Sequence, residues 1–380
     1  MKEVKVGIVG LGGRGRGMLK LSSMFDCVKV VAACDIKPEN WYTDRNDETP
    51  PFSAMADLFP EAKFYKNYDQ MLEEADLDVV MVQTGADNHS KFCCKALEKD
   101  INVFAEIPTV ASLEEADELW KAAQKSKATI SIGANPNYQK FTVLLNNFYN
   151  KGLLGKPYYM EAEYIHWGLV LCDGALYENG DWRAHLANIR YCTHSLGPLL
   201  TILNEDLRYV SAFGTGQHAD DYPAIYKRDD MQAAQFRTES GVVVRLLRNG
   251  RCRAEIGHHN YRVFGTEGYM ERIDRYEKPV IRYNSQKELD TSLKETSGEF
   301  MPPAYADNEK AQSSAAHGGM DYAMLDAFYD AIANGKPAPI SLKEGLAMTL
   351  PGIYAEESIK RGGEVLRMRY PWDDDWSTKI

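Results

Sequence analysis

The chain has 380 residues, of which 44% are hydrophobic and 26% are charged. These proportions are ordinary for a globular protein, and the length allows two domains with cores of their own. The formal net charge of −11 argues against nucleic acid or an anionic membrane as a partner, since both would favour a basic surface. No apolar run approaches the length of a membrane span, and the N-terminal sequence leaves no room for a secretory signal. If that start is the native one, we expect a cytoplasmic protein.

The first predicted element is a short β-branched strand that turns into a helix, in the stretch VKVGIVGLGGRGRG from Val4 to Gly17. The turn has the spacing G-x-G-x-x-G at Gly10, Gly12 and Gly15. The first glycine allows a tight reversal, the second lets the backbone approach a pyrophosphate, and the third lets the helix pack against the strand. The phosphates would bind the N–H groups of the helix N-terminus. The predicted dinucleotide contacts of this turn are Gly10, Gly12, Gly13, Arg14 and Gly15.

A second apolar run, from Val28 to Ala33, supports this interpretation. It ends at Cys34 and Asp35, and Asp35 follows Gly15 by the spacing at which a carboxylate accepts hydrogen bonds from an adenosine ribose. A carboxylate there also repels a 2′-phosphate, so the pattern predicts NAD as the cofactor rather than NADP.

Strands and helices alternate up to residue 133, which predicts a doubly wound parallel sheet of the Rossmann type in an α/β protein. Ligands bind such sheets at the carboxyl ends of the strands. Two of the predicted strands end in Thr84…His89 and in Glu106-Ile107-Pro108, and the last ends shortly before Asn135. We therefore expect the cofactor site to include Thr84, His89, Glu106, Pro108 and Asn135.

The pattern changes after residue 133, and we predict that 134–380 forms a second α/β domain for substrate binding and oligomerisation. Its strands Tyr209–Gly214, Met231–Thr238, Gly241–Arg248 and His259–Gly265 indicate an open, largely antiparallel sheet. One face of such a sheet needs cover, so we expect a homo-oligomer, a dimer or a tetramer. The polar stretch Asn284–Ser314 is predicted to be loop.

The seven cysteines are scattered through the chain, and none has the C-x-x-C spacing of a zinc site. Their odd number also argues against a disulfide framework. We therefore expect reduced thiols and no bound metal.

Over nearly its whole length the chain resembles the Gfo/Idh/MocA family of NAD(P)-dependent sugar and polyol enzymes. The resemblance rests on the N-terminal GLGGRG, on Asp35, on the Thr84…His89 pair and on Glu106-Ile107-Pro108, which stands where most of the family has Glu-Lys-Pro. The segment Phe264–Gly268 is similar to another recurrent family segment. The resemblance implies a Rossmann domain followed by an α/β domain with an open sheet.

Two departures separate the chain from the family's dehydrogenases, which use the motif lysine and a D-x-x-x-H pair to handle the hydroxyl proton. Ile107 occupies the lysine position, and Arg190 rather than an acid stands four residues before His194. The segments Tyr191–Pro198 and His317–Asp321 are similar instead to those of the family's NAD-dependent glycosidases, typified by α-N-acetylgalactosaminidases.

In that branch the sugar is oxidised at C3, which acidifies the proton on C2. The aglycone then leaves from C1 by elimination, water adds, and C3 is reduced again. No net oxidation occurs, and the two flanking carboxylates of an ordinary glycosidase are not needed. Such proton transfers suit histidine and tyrosine. The resemblance implies catalytic roles for His194, Tyr191, Glu106 and His317, although His317 can equally cap the helix that follows it.

The predicted sugar contacts are Asn137, Tyr138, His166, Trp167, Trp182 and Arg183, the aromatic ones because their faces stack on pyranose rings. Asn137 and Tyr138 can equally contact the nicotinamide, and each of the other four taken alone can have a structural role instead. Two alternatives to a glycosidase stay open. One is a conventional NAD-linked sugar or polyol dehydrogenase in which His194 alone carries the proton. The other is a non-catalytic ligand sensor that retains NAD as a structural element. The Tyr191/His194 pair and the absent lysine favour the glycosidase.

Overall fold

The computed structural model describes residues 3–44, 53–165, 186–218, 229–249, 259–273, 279–288, 290–297, 302–313 and 316–380. The chain divides into two units. Unit 1 contains Met1–Gly133, Asn308–Ser314 and Asp321–Lys343, and unit 2 contains Ala134–Asp307, Ala315–Met320 and Glu344–Ile380. The division predicted from the sequence, 1–133 and 134–380, is continuous, whereas two later segments of the chain belong to unit 1.

In the part of unit 1 that the structure describes, six strands form a parallel sheet in the order β3-β2-β1-β4-β5-β6. Every residue of β4 is buried, as expected of a parallel strand that is covered on both faces. The predicted doubly wound sheet is therefore confirmed, although no sequence pattern predicts the three-residue β3. The strands are β1 (Val4–Val9), β2 (Val28–Cys34), β3 (Lys63–Tyr65), β4 (Val79–Val82), β5 (Asn102–Ala105) and β6 (Ile130–Ile132).

Helices connect these strands, and one of them begins at a well-formed cap. The Ser112 hydroxyl accepts a hydrogen bond from the backbone N–H of Glu115, and the Glu115 carboxylate accepts one from the N–H of Ala111. This reciprocal arrangement satisfies N–H groups that a helix start would otherwise leave unpaired. The helices are α1 (Gly13–Ser22), α2 (Glu39–Tyr42), α3 (Met55–Leu58), α4 (Tyr68–Glu74), α5 (Ala86–Leu97) and α6 (Leu113–Lys125).

The described residues of unit 2 form a sheet of nine strands in the order β14-β13-β12-β11-β7-β10-β9-β8-β15. All neighbours are antiparallel except β7 and β10, which run parallel. This confirms the largely antiparallel second sheet. The strands are β7 (Pro157–Tyr164), β8 (Leu207–Gly214), β9 (Met231–Thr238), β10 (Val243–Asn249), β11 (His259–Gly265), β12 (Gly268–Ile273), β13 (Val280–Ser285), β14 (Lys294–Ser297) and β15 (Leu366–Arg367).

The two faces of the unit 2 sheet differ in chemistry. One face carries ion pairs between neighbouring strands: Glu163 with Arg245 (2.8 Å), Glu161 with Arg262 (3.0 Å) and Arg282 with Glu295 (2.7 Å). The side chains of these three arginines are 36–40% exposed. The other face consists of buried apolar residues of the same strands, including Met160, Ala162, Val244, Leu246 and Val263.

Helices α7 (Lys140–Asn150) and α8 (Thr193–Leu200) also belong to unit 2, together with two 3₁₀ turns at Asn135–Tyr138 and Asn188–Arg190. Helix α8 begins beside β11, because the Tyr261 hydroxyl donates a hydrogen bond of 2.6 Å to the carbonyl oxygen of His194. The first turn of α8 is therefore fixed to the sheet.

The last helices are α9 (Glu309–Ser313), α10 (Met320–Asn334) and α11 (Leu342–Lys360). From Asp321 onwards α10 belongs to unit 1. Its Tyr322 ring stacks on Phe25 with centroids 4.7 Å apart, and its Phe328 ring lies 5.1 Å from Phe104. Burial of these aromatic rings is the reason that this late segment joins the N-terminal sheet. Among the residues described, none of the helices is long and apolar enough to cross a bilayer.

The prediction of loop for Asn284–Ser314 is wrong in part. Strand β13 continues to Ser285, β14 occupies Lys294–Ser297, and α9 occupies Glu309–Ser313. The sequence of β14 is polar because an edge strand is ordered by backbone pairing with its single neighbour, here β13, and does not need buried side chains.

Candidate active site

The glycine turn between β1 and α1 has the geometry that a bound pyrophosphate requires. Gly10 has a φ of +92°, and a Cβ there would lie 2.6 Å from the carbonyl oxygen of Gln83. A Cβ at Gly15 would overlap the carbonyl oxygen of Gly10, so the helix approaches the strand only because no side chain intervenes. At Gly12 and Gly13 a Cβ would meet no atom of the described part of the chain within 4 Å. The turn is thus packed tightly against β1 and β4 and open at the start of α1.

The Asp35 carboxylate lies at the end of β2 and holds this turn in place. Its Oδ2 accepts a hydrogen bond of 2.6 Å from the N–H of Leu11, and its Oδ1 accepts one of 2.8 Å from the N–H of Lys37. Each carboxylate oxygen can accept a further hydrogen bond, which leaves capacity for ribose hydroxyl groups.

Arg14, in the same turn, joins two carboxylates that are distant in the chain. Its Nε donates to Glu106 (2.8 Å), and its two terminal nitrogens donate to the two oxygens of Asp321 (2.6 and 2.9 Å). Burial alone would lower the pKa of the guanidinium, but the charges of Glu106 and Asp321 raise it. Bidentate pairing of this kind fixes orientation, so Arg14 holds the Glu106 carboxylate beside the glycine turn.

His89 connects the ends of two neighbouring strands. Its Nδ1 lies 2.8 Å from the carbonyl oxygen of Pro108 and its Nε2 lies 2.9 Å from that of Thr84. Burial lowers the pKa of His89, and the two carbonyl groups oppose that effect. Both ring nitrogens are therefore engaged by backbone, and the contribution of His89 to a cofactor site is to position the segments after β4 and β5.

Gln83 follows β4 directly and was missed by the sequence analysis. It is 7% exposed, and neither its amide nitrogen nor its amide oxygen has a hydrogen-bond partner among the described residues. It also lies against the glycine turn, since its Cβ is 3.3 Å from the position of a Cβ at Gly15. The sequence signal that could have identified Gln83 is its position as a polar residue directly after an entirely apolar strand. An unsatisfied buried amide next to an open glycine turn fits a dinucleotide that supplies the missing partners.

Tyr191 and His194 lie together in unit 2. Tyr191 precedes α8, His194 is in its first turn, and their rings are 5.0 Å apart in an edge-to-face arrangement. Thus the structure brings together the two residues that the sequence singled out as proton carriers.

Two further rings join this pair, and sequence reasoning did not select them. Tyr164, the last residue of β7, stacks on His259, the first residue of β11, with centroids 4.3 Å apart. The ring of Tyr164 lies 5.8 Å from that of His194 and 6.4 Å from that of Tyr191. Burial raises the pKa of the Tyr164 phenol, and the charge of Arg248 opposes the rise. Only strand pairing brings these residues together, so no local sequence signal marks them.

Arg248, near the end of β10, is the cation of this cluster. It is 3% exposed, and its guanidinium carbon lies 4.0 Å from the ring centroid of Tyr164 and 5.7 Å from that of Tyr191. Together these residues form a ring cluster, which consists of Tyr164, Tyr191, His194, Arg248 and His259.

At two motif positions the chain has a residue that differs from that of the family's dehydrogenases, and both of these residues have structural roles here. Ile107 is 4% exposed and apolar where those enzymes carry a lysine. Arg190 lies 2.9 Å from Glu356 in an ion pair within unit 2. Neither residue provides a proton carrier.

The predicted contacts Asn135, Asn137 and Tyr138 form one 3₁₀ turn at the start of unit 2. The Asn137 Oδ1 packs against α8, because a Cβ at Gly197 would lie 2.5 Å from it. Burial raises the pKa of the Tyr138 phenol, which favours its protonated form.

His317 lies in the turn before α10, with an exposed side chain and a φ of +55°. A residue other than glycine is uncommon in this left-handed region, and such backbone strain often occurs at functional sites.

The remaining predicted sugar contacts, His166, Trp167, Trp182 and Arg183, lie outside the described residues. Within the described part of the chain, no three His, Cys, Asp or Glu residues are grouped closely enough to hold a metal ion. The cysteines described there, Cys27, Cys34, Cys93, Cys94 and Cys192, are free thiols.

Comparison with known families identifies both parts of the chain. Residues 4–134 match the family model of the oxidoreductase family with an NAD-binding Rossmann fold (GFO_IDH_MocA). Residues 204–372 match the model of the C-terminal domain of glycosyl hydrolase 109. Unit 1 is therefore an NAD-binding Rossmann domain.

Relatives and solved structures agree with this assignment. The chain is 26% identical to glycosyl hydrolase family 109 protein 2 of Akkermansia muciniphila, covering 100% of this chain and 85% of the relative. It is 23% identical to an α-N-acetylgalactosaminidase of Shewanella oneidensis, covering 94% and 83%.

Among solved structures, a levoglucosan dehydrogenase in complex with NADH and levoglucosan matches with a TM-score of 0.77 at 15% identity, over 96% of this chain and 99% of that one. A scyllo-inositol dehydrogenase from Lactobacillus casei matches with a TM-score of 0.73 at 17% identity, also over 96% and 99%. At such identities these structures support the fold alone. The chain is therefore an enzyme that combines an NAD-binding domain of the Gfo/Idh/MocA oxidoreductase family with a glycosyl hydrolase 109 C-terminal domain, and over most of its length it is similar to glycosyl hydrolase family 109 proteins.

Proposed function

We propose that the protein hydrolyses a glycoside without net oxidation, through transient oxidation of the sugar at C3. The observation that carries the proposal is the contact between Tyr191 and His194 at the start of α8. The buried Ile107 at the dehydrogenase lysine position supports it, because the proton carriers must then come from elsewhere. Bound NAD would supply the reversible acceptor for the C3 hydrogen.

The two proton carriers have different tasks in this reaction. A base removes the proton from C2 once the neighbouring carbon is a ketone, and we assign this task to Tyr191. An acid protonates the glycosidic oxygen as the C1–O bond breaks, and we assign this task to His194, whose ordinary pKa lies near neutrality. Water then adds at C1, and the two residues return the protons in the opposite direction. Oxidation at C3 also releases the proton of the C3 hydroxyl group to solvent, and the later reduction takes a proton back. Atoms and electrons therefore balance, because the hydride removed from C3 is the one restored to it.

Glu106 is proposed as a site residue whose carboxylate is oriented by Arg14. The Arg14 pair with Asp321 anchors the guanidinium, so Glu106 is held in one position. Asn135, Asn137 and Tyr138 are proposed sugar or nicotinamide contacts, and His317 a catalytic residue, while His166, Trp167, Trp182 and Arg183 remain predictions. The name of the Shewanella relative makes α-linked N-acetylgalactosamine the first sugar to test.

The reaction is tested with the NAD-loaded enzyme and a nitrophenyl α-N-acetylgalactosaminide in D2O. We expect release of nitrophenol without accumulation of NADH, deuterium at C2 of the released sugar, and the original hydrogen at C3. A conventional dehydrogenase would instead accumulate NADH in proportion to the oxidised sugar and leave C2 unlabelled, and a ligand sensor would release no aglycone. Either of those outcomes overturns the proposal. A panel of other nitrophenyl glycosides identifies the sugar if this one is not cleaved.

We further propose that NAD is preferred to NADP. Asp35 would place a carboxylate against the 2′-phosphate, and such like-charge repulsion disfavours binding by about tenfold to a hundredfold. Replacing Asp35 with alanine is expected to narrow the difference between the two affinities, measured by cofactor fluorescence titration. The control is Asp117→Ala, which removes a carboxylate of helix α6 that pairs with Lys121. Equal affinities for NAD and NADP in the unmodified protein contradict this role.

The last part of the proposal is a homo-oligomer formed through the charged face of the unit 2 sheet. Ion pairs in rows across neighbouring strands, such as Glu161 with Arg262, allow a second copy to pair opposite charges by symmetry. Light scattering at micromolar concentration should therefore give a dimer or a tetramer. Arg262→Glu places like charges beside Glu161 and is expected to shift the equilibrium towards monomers. A monomeric unmodified protein rejects this part of the proposal.

A further inference from the structure

The buried cation of the ring cluster has a chemical consequence for the tyrosines around it. Arg248 donates a hydrogen bond from Nε to the carbonyl oxygen of Asn188 (3.2 Å) and one from a terminal nitrogen to that of Tyr164 (3.3 Å). These two bonds hold the guanidinium across the faces of two phenol rings. The register of the sheet also places Arg248 directly beside Tyr164, since the two residues are paired on the parallel strands β10 and β7.

The charge of Arg248 persists although it is buried. Burial lowers the pKa of the guanidinium, but the ordinary pKa of arginine is so high that the group stays protonated in proteins. The ionisable groups that act on it are the phenols of Tyr164, Tyr191 and Tyr261 and the thiol of Cys192, which are neutral when protonated. Within the described residues, no carboxylate is paired with Arg248. An isolated buried cation is costly, and it favours any neighbour that becomes negative on losing its proton.

We propose that Arg248 is a positioning residue that makes Tyr191 a proton acceptor, by stabilising the Tyr191 phenolate and fixing the orientation of its ring. The inference rests on the proposed function, in which Tyr191 removes the proton from C2. A phenolate ring is richer in electrons than a phenol ring, so a cation over its face binds the ionised form more strongly. One positive charge at this distance favours the phenolate by about one to two pH units at an intermediate dielectric.

Among the described residues, the other groups packed around Arg248 and Tyr191 do not remove this effect. His194 on α8 and His259 on β11 contact the rings of Tyr191 and Tyr164, and either histidine adds to the positive potential when protonated. Arg190, one residue before Tyr191, is paired with Glu356. Gln232 on β9, opposite Arg248 in the sheet, is uncharged.

The selection of Tyr191 over its neighbours follows from their contacts. The Tyr261 hydroxyl already donates to the carbonyl oxygen of His194, and burial raises its pKa. Burial also raises the pKa of Tyr164 despite the nearby charge. We therefore assign Tyr164 the role of a neutral stacking platform and Tyr191 the role of the base.

The test measures the titration of Tyr191 directly and needs no substrate. Tyrosine labelled with ¹³C at Cζ is incorporated into the NAD-loaded protein, and Tyr191→Phe assigns its resonance among the 22 tyrosines. We expect Tyr191 to titrate below the ordinary phenol value of about 10. In Arg248→Gln, which keeps hydrogen-bond donors but loses the charge, its pKa should rise by about one to two pH units. In Arg248→Lys, which keeps the charge, the change should be less than half as large.

A second readout is the pH profile of kcat/KM. In Arg248→Gln its acidic limb should move to higher pH by the same amount as the pKa of the Tyr191 phenol. A purely structural role for Arg248 would lower activity at every pH without moving the limb. The inference is overturned if Tyr191 titrates at or above the ordinary value in the unmodified protein, a measurement that needs no Arg248 variant to fold. It is also overturned if Arg248→Gln leaves the Tyr191 titration unchanged. Absence of C2 labelling in D2O together with the expected titration would reject the proposed function and leave this inference standing.

Discussion

Replacing His194 with alanine is expected to lower turnover by about a hundredfold to ten-thousandfold, the loss that follows removal of a general acid or base. The amount of released sugar that carries deuterium at C2 should fall together with product release, because C2 is reprotonated in the product only after the elimination that His194 assists. The fold should persist, since the hydrogen bond from Tyr261 reaches the backbone carbonyl of His194 and alanine retains it. NAD binding should also persist, because the dinucleotide motif belongs to unit 1 and His194 to unit 2.

The matched control for this change is His218→Ala. His218 is an exposed histidine of the same unit whose Nε2 lies 2.8 Å from the carbonyl oxygen of Thr215. Its hydrogen bonds in the described part of the chain, this one and one from its backbone N–H to Asp230, involve no residue proposed for catalysis, so its loss should leave turnover and C2 labelling unchanged. Near-normal turnover in His194→Ala would remove His194 from the mechanism, and the ring cluster would then need another acid.

Replacing Gly12 with alanine is expected to lower NAD affinity by at least about a hundredfold while leaving the free energy of unfolding almost unchanged. A Cβ at Gly12 meets no atom of the described residues within 4 Å, so the protein has room for the methyl group. It projects, however, where the backbone must approach a pyrophosphate. Isothermal titration with NAD and chemical denaturation of the apoprotein measure the two effects separately.

Two neighbouring glycines provide the controls for Gly12. Gly17→Ala lies within α1, where a Cβ also meets no atom, and it should retain NAD affinity and stabilise the helix by up to about 1 kcal/mol. Gly15→Ala forces a methyl group onto the carbonyl oxygen of Gly10 and should destabilise the protein by about 1–3 kcal/mol. Full NAD affinity in Gly12→Ala would mean that the pyrophosphate lies elsewhere.

The fold could be predicted from sequence wherever the pattern is local. The apolar strands of unit 1 and the G-x-G-x-x-G turn are local patterns, and both are present in the structure. The strand β14 (Lys294–Ser297) could not be predicted, because its order comes from pairing with β13 and its own residues are polar. The return of α10 to unit 1 depends on aromatic contacts such as Tyr322 with Phe25, which join residues at opposite ends of the chain.

In the candidate site, too, only contacts between residues that are close in sequence could be predicted. Tyr191 and His194 are three residues apart, so a sequence motif suffices to pair them. Arg248 and Tyr164 become neighbours only through the parallel pairing of β10 with β7, and this pairing is an exception in a sheet that is otherwise antiparallel. A prediction in which consecutive strands pair as antiparallel hairpins does not include this parallel pairing.

The discontinuous composition of unit 1 has a consequence for biosynthesis. The glycine turn and the first six strands leave the ribosome early, but Asp321, which anchors Arg14, and Phe328, which packs on Phe104, are translated much later. Domains usually fold in the order in which they emerge. Here the nascent Rossmann sheet remains without its last helix until synthesis has passed Lys343, so the nucleotide-binding half, although first in the sequence, is completed only when most of the other half has already been made.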